Sequence, residues 1–186
     1  MNDNKVKIGI LDFSTANFKS SKFSNDGTKA VRTLIREIKE QGHMPILYKV
    51  ENCQMYFHGR KAEILYQNKQ IKKCDVLVVK FLVSNYVDLA VSIIKQFQIM
   101  GMPLINQYLP TMRAKNKLRT LQILSKHGIA VPRTVVVRKI ELMDESIKAI
   151  GGYPVVVKIP FGSAGAGVFL LESRRSLLSV LDAIGV

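Results

Sequence analysis

Cysteine and histidine are scarce in this sequence, and long apolar runs are absent. The two cysteines, Cys53 and Cys74, form no close pair, and the histidines are His43, His58 and His127. These residues offer no metal-ligand spacing, which argues against a zinc site. No apolar run approaches the roughly 18 residues that a membrane helix needs. The N-terminal MNDNKVKIGILDF also lacks the apolar core of a secretion signal. Free thiols without an export signal predict a soluble, cytoplasmic protein with no membrane partner. Acidic residues are few as well: 14 Asp+Glu stand against 28 Lys+Arg, a formal net charge of +14 over 186 residues. Such a surplus attracts polyanions, but the basic residues are dispersed, with no run longer than two, which weakens a nucleic-acid reading.

What is present is an alternation of strand and helix patterns. KVKIGILDF (5–13) reads as a buried strand, and STANFKSSKFSNDG (14–27) as a loop. TKAVRTLIREIKEQ (28–41) reads as a helix, capped by Asn25 or Asp26, with Ala30, Leu34, Ile35 and Ile38 inward and Gly42 as its stop. PILYKV (45–50) is the next strand. CQMYFHGRKAEILYQNKQI (53–71) suggests a small hairpin or two inserted short strands, with His58 solvated in an apparent turn. CDVLVVKF (74–81) is a strand, 87–100 a helix and GMPLIN (101–106) a short strand. The first 110 residues therefore predict an α/β domain with a parallel sheet.

From residue 111 the pattern changes. TMRAKNKLRTLQILSKHG (111–128) reads as one amphipathic helix with Ala114, Leu118, Leu121 and Leu124 inward, ended by Gly128. IAVPRTVVVR (129–138) reads as a strand and ELMDESIKAIGG (141–152) as a helix. Two strands, 154–159 and 167–172, then flank a glycine-rich loop, and a helix over 173–184 follows, capped by Ser173. On it Arg174 and Arg175 read as an exposed face. Residues 111–186 thus predict a second, α+β domain.

The loop within YPVVVKIPFGSAGAGVFLLE carries the chemistry. It is not a Walker A loop, because Lys158 precedes the glycines and no Gly-Lys-[Ser/Thr] opens a helix. Nor is it a dinucleotide fingerprint, which joins a strand to a helix. Read plainly, it is a long hairpin turn. Its length favours another reading, in which small residues bring backbone N–H groups to phosphate oxygens. Ser163 would then add a donor and Lys158 a charge. Lys117 shares a helical stripe with Leu121 and Leu124; it either snorkels at the core edge or points into a cleft facing the loop. Cys53 and Cys74 have no activating neighbours and read as free thiols.

AKNKLRTLQILSKHGIAVPRTVVV and GGYPVVVKIPFGSAGAGVFLLES, with MYFHGRK and INQYLPTMRAKNKLRTLQIL, resemble the ATP-grasp superfamily over essentially the whole chain. Within it they look most like the RimK-type ligases, which attach glutamate or a similar amino acid to a carboxylate acceptor. The resemblance implies a Rossmann-like pre-ATP-grasp domain over 1–110 and the first α+β lobe of an ATP-grasp fold over 111–186, with the second lobe beyond the chain. It implies ATP as a substrate and Mg²⁺ or Mn²⁺ in the complete enzyme. Lys117 and Lys158 match the lysines that reach the nucleotide phosphates. Ser163, Ala164, Gly165, Ala166 and Gly167 match the loop that closes over the triphosphate. Partners implied are an amino acid, glutamate first, and an acceptor carboxylate on an acidic protein tail or a small molecule; a homo-oligomer stays open.

Two departures from the pattern stand out. Asn116 occupies a position that is often acidic in the family. After residue 140 the carboxylates are Glu141, Asp144, Glu145, Glu172 and Asp182, and none forms the Glu-x-Asn pattern of the metal site. Metal ligands are therefore expected beyond Val186, no catalytic residue is assignable here, and the chain alone is expected to be inactive. The competing expectation, motivated by the +14 charge, is a non-catalytic module with weak anion or nucleic-acid binding.

Overall fold

A computed structural model of the protein describes residues 5–14, 24–81, 87–159 and 167–183, with side chains from Lys29 onward in the first helix. The chain divides into two compact units, Met1–Lys115 and Asn116–Val186. Among the described residues, no helix is long and apolar enough to cross a membrane.

The first unit holds β1 (Lys7–Asp12), α1 (Ser24–Glu40), β2 (Met44–Lys49), β3 (Cys53–His58), β4 (Lys61–Tyr66), β5 (Lys69–Gln70), β6 (Val76–Lys80), α2 (Val87–Ile99), β7 (Leu104–Ile105) and α3 (Tyr108–Lys115). Four strands form a parallel sheet in the order β2-β1-β6-β7. The central strand, β1, buries both of its faces. Ile10 joins Val31 and Ile38 of α1, while Leu11 joins Leu77, Ile94 and Phe97 on the α2 side. Burial on two sides is why β1 and β6 read as unbroken apolar runs. Gly9 has a packing reason: a Cβ there would lie 2.6 Å from the Cys74 sulfur and 2.8 Å from a Leu77 methyl. The predicted cap of α1 shifts, because the helix begins at Ser24 and takes Asn25 and Asp26 into its first turn.

The inserted strands form an antiparallel meander, β3-β4-β5. Its β4–β5 turn, Gln67-Asn68, has positive φ at both residues, the geometry that suits a two-residue hairpin. The meander is tied to the parallel sheet by the Tyr48–Tyr66 ring contact at 5.6 Å. Gln96 of α2 also donates from Nε2 to the Ala62 carbonyl at 2.8 Å.

The second unit holds α4 (Lys117–Lys126), α5 (Met143–Ile150), β8 (Val155–Lys158), β9 (Val168–Leu171) and α6 (Arg174–Ala183). The single helix predicted over 111–128 is two helices, broken at Asn116. That residue is extended (φ −107°, ψ 111°), and its side-chain oxygen accepts from the Leu118 and Arg119 amides at 3.0 and 3.1 Å. An asparagine oxygen competes with the backbone for helical amides and so starts a helix rather than continuing one. Ala114 is left exposed on α3, and Leu118, Leu121 and Leu124 are half-buried on α4. Asn116→Ala is expected to cost about 1 kcal/mol of the second unit's stability and Asn116→Ser much less, read as urea midpoints by circular dichroism.

The strand predicted over 129–138 is also absent: residues 129–137 are irregular and Val136 is 62% exposed. β-branched residues favour a strand only where a neighbouring ladder and a face to pack on exist. Thr134 instead bonds locally, donating its hydroxyl to the Pro132 carbonyl at 2.8 Å.

The glycines that end α5 behave as expected. Gly151 and Gly152 both have positive φ, and the Gly152 amide returns to the Ile147 carbonyl at 2.9 Å. Ser173 caps α6 reciprocally: its hydroxyl accepts from the Ser176 amide at 3.3 Å, and the Ser176 hydroxyl accepts from the Ser173 amide at 3.2 Å. Arg174 is paired rather than merely solvated, its Nε lying 2.8 Å from an Asp144 carboxylate oxygen. At the surface such a pair is worth little.

Candidate functional site

The β8–β9 hairpin positions the glycine segment. Val155 pairs with Leu171, Val156 with Leu170, Val157 with Phe169 and Lys158 with Val168. One further hydrogen bond, from the Ile159 amide to the Gly167 carbonyl at 3.0 Å, closes the base of the loop. Gly167 is required there on two grounds. Its φ is +69°, and a Cβ would lie 2.3 Å from Ile159 side-chain carbons. Ser163, Ala164, Gly165 and Ala166 lie outside the described residues, between these two anchors.

The two faces of the hairpin differ. Val155 and Leu171 are buried with Ile147, Leu177 and Leu181, and Val157 and Phe169 pack against that cluster. The residues between them point the other way by the two-residue period of a strand. Val156 is 51% and Leu170 66% exposed, and Val168 and Lys158 lie on the same outward face. The structure thus brings together a cation, a flat apolar surface and the base of a glycine-bearing segment. A ligand with an apolar ring and an anionic tail matches that combination, the ring on the valine–leucine face and the anion towards Lys158. The sequence reading made 154–159 and 167–172 strands without assigning their faces, so the apolar half of this site went unread.

Lys117 is placed differently. It is the first residue of α4, half-buried, in a first turn that holds no acidic residue. A helix N-terminus favours negative charge, so a lysine there concentrates positive potential and invites an anion. No residue of α4 belongs to the buried cluster under the hairpin. Lys158 and Gly167 thus meet at the base of the hairpin, and Lys117 opens α4, another element of the same unit.

Elsewhere, burial pushes the Cys53 thiol up to about 12, with the nearby Glu51 charge adding to the rise. Burial raises the Cys74 thiol as well, and its sulfur donates to Met102 Sδ at 3.5 Å. Neither cysteine is a thiolate nucleophile at neutral pH. Among the described residues, no three His, Cys, Asp or Glu side chains gather as a metal site would require. In the first unit, Asp12 and Ser14 are buried at the carboxyl end of β1, where the Ser14 amide donates to Asp12 Oδ1 at 2.8 Å. Open parallel sheets bind ligands at this edge, and the sequence reading passed over both residues.

Comparison with known proteins agrees with the hairpin and the sheet. The RimK PreATP-grasp domain family matches residues 23–108, and the RimK-like ATP-grasp domain family matches residues 114–186. A probable alpha-L-glutamate ligase of Pseudoalteromonas translucida is 29% identical over 178 residues, spanning 96% of this chain and 55% of the relative. Probable alpha-L-glutamate ligase 1 of Shewanella oneidensis is 30% identical over the same length and share. Among solved structures, a RimK domain ATP-grasp protein from Sphaerobacter thermophilus superposes with a TM-score of 0.68 at 17% identity, covering 96% of this chain and 58% of that one. D-alanine–D-alanine ligase from Bacillus anthracis gives a TM-score of 0.63, also at 17% identity, over 96% and 53%. The chain spans about half the length of the curated relatives it matches. With two RimK domain families matched in succession along it, the chain belongs to the RimK-like ATP-grasp family.

Proposed function

We propose that the chain is the nucleotide-holding part of an ATP-dependent carboxylate–amine ligase. The outward face of the β8–β9 hairpin carries this reading, because it sets Lys158 beside an exposed apolar surface at the base of a glycine-bearing loop. Several structural neighbours were solved with ATP, or with ADP and Mg. Lys158 and Lys117 bind the phosphates, and Ser163, Ala164, Gly165, Ala166 and Gly167 close over them, excluding water. An acceptor carboxylate oxygen attacks the γ-phosphorus and ADP leaves. The amine nitrogen of an amino acid, glutamate by analogy with the relatives, then attacks the acyl carbon. The amide forms, orthophosphate departs and the nitrogen loses its proton. The lysines stabilise negative charge as it shifts between oxygens. The acceptor is a carboxylate on an acidic protein tail or a small molecule, and the setting is cytoplasmic.

The +14 charge favours a second reading, a non-catalytic anion-binding module. Calorimetric titration of the chain with ATP, adenosine and inorganic triphosphate separates the two. The ligase reading expects ATP to bind about tenfold tighter than either part, since the apolar face and the cation act together. Triphosphate binding as tightly as ATP would leave only an anion site.

A further inference from the structure

On the first unit, the tip of the β3–β4 hairpin exposes aromatic side chains that the core does not use. Tyr56 is 47% and Phe57 66% exposed, and neither belongs to the buried cluster that Met55 and Tyr66 pack against. Tyr56 and His58 share one face, their rings nearly parallel at 25° with centroids 6.2 Å apart. Across the ladder, His58 faces Lys61, Tyr56 faces Glu63 and Phe57 faces Ala62. Aromatic surface therefore stands on both sides of the tip, and Gly59-Arg60 forms the turn between the strands. At the tip the cations are Arg60 and Lys61, set against Glu63, while Lys49, Lys69, Lys72 and Lys73 lie at or beyond the opposite end of the β3–β4 pair.

We propose that this aromatic, basic hairpin tip is a docking surface for single-stranded RNA. Bases stack on exposed rings without regard to sequence, while nearby cations track the phosphates. An acidic peptide would use the cations but has no use for two ring-bearing faces. The Glu63 carboxylate, across the ladder from Tyr56, is an acceptor for a 2′-hydroxyl, the group that separates RNA from DNA. The surface lies on a different unit from the β8–β9 hairpin, so this proposal stands whether or not the chain binds ATP.

The test is fluorescence anisotropy of the 186-residue chain with a labelled uridine oligomer about twelve nucleotides long, at roughly 50 and 200 mM salt. The parent chain is expected to bind, more weakly at the higher salt. The Tyr56→Ala/Phe57→Ala variant is expected to lose about tenfold in affinity at both salts. Arg60→Glu/Lys61→Glu should bind still less and lose part of the salt dependence. Tyr56→Phe, which keeps the ring, should bind as the parent does, and far-UV circular dichroism checks that each variant is folded. Parent-like affinity in the folded double alanine variant overturns the proposal. So does a thymidine oligomer binding as tightly as the RNA. A glutamate oligomer that displaces the RNA at equal concentration would assign the face to an acidic peptide instead.

Discussion

Replacing Lys158 with alanine is expected to weaken ATP binding roughly ten- to a hundredfold, while adenosine binding changes little. A hydrogen bond between charged groups is worth about 1.5–3 kcal/mol, and each ~1.4 kcal/mol is a factor of ten in affinity. Lys158 ends β8 on the exposed face, beside Val156 and Val168 and away from the cluster around Leu171 and Leu177. Its removal therefore opens no cavity and leaves the fold intact. The loss is specific to phosphate because the apolar half of the site, Val156 and Leu170, stays in place. Lys158→Arg keeps the charge but presents a planar fork instead of a compact ammonium, and it should recover only part of the affinity. Calorimetric titrations of ATP and adenosine into both variants, at low and moderate salt, read the effect. An ATP affinity within about twofold of the parent's would remove Lys158 from the site and with it the proposed nucleotide pose.

The second large effect is on stability. Phe97→Ala should cost the first unit about 3–5 kcal/mol, the usual result of emptying a fully buried aromatic site. Phe97 has no exposed surface, and its ring lies 6.5 Å from that of Tyr48, where α2, the parallel sheet and the meander converge. The adjacent Gln96 ties the same turn of α2 to the Ala62 carbonyl, so the helix cannot move inward freely to fill the void. Domains are commonly stable by only about 5–15 kcal/mol, so this one truncation removes a large share. The chain has no tryptophan, so urea unfolding is followed by far-UV circular dichroism. The midpoint is expected to fall at unchanged slope, with Phe97→Leu between variant and parent. An unmoved midpoint would show that the packing around Phe97 is not where this unit's stability resides.

Much of the architecture was legible beforehand because its signals are local. GILD, ILYK and VLVVK are short apolar runs of β-prone residues separated by an amphipathic helix or a turn, and they became β1, β2 and β6. The glycine segment was recognisable as the link of an antiparallel hairpin because a β-prone run stood on each side of it, and β8 and β9 pair in that way. The RimK-like resemblance was carried by the glycine segment together with AKNKLRTLQILSKHGIAVPRTVVV, MYFHGRK and INQYLPTMRAKNKLRTLQIL. It implied which residues would meet the nucleotide, but not the surface that the nucleotide would rest on.

What the amino-acid order determined alone is most of the elements, though neither the break at Asn116 nor the loss of the strand expected over 129–138, and the positions where chain direction must change, such as Gly151-Gly152 and Gly167 with their positive φ angles. Only the tertiary structure decided which apolar residues find a partner. VVVK and VFLL are apolar on both faces, yet one face packs on α5 and α6 and the other is exposed. TVVV has the same composition and forms no strand, since no ladder lies beside it among the described residues. Asn116 looked like an interior helix residue and became a cap, and only the fold gives Gly9 its reason, the close approach of Cys74 and Leu77. Propensity belongs to a residue and its near neighbours, whereas burial belongs to whatever distant segment arrives opposite, and the second is not written in any local window.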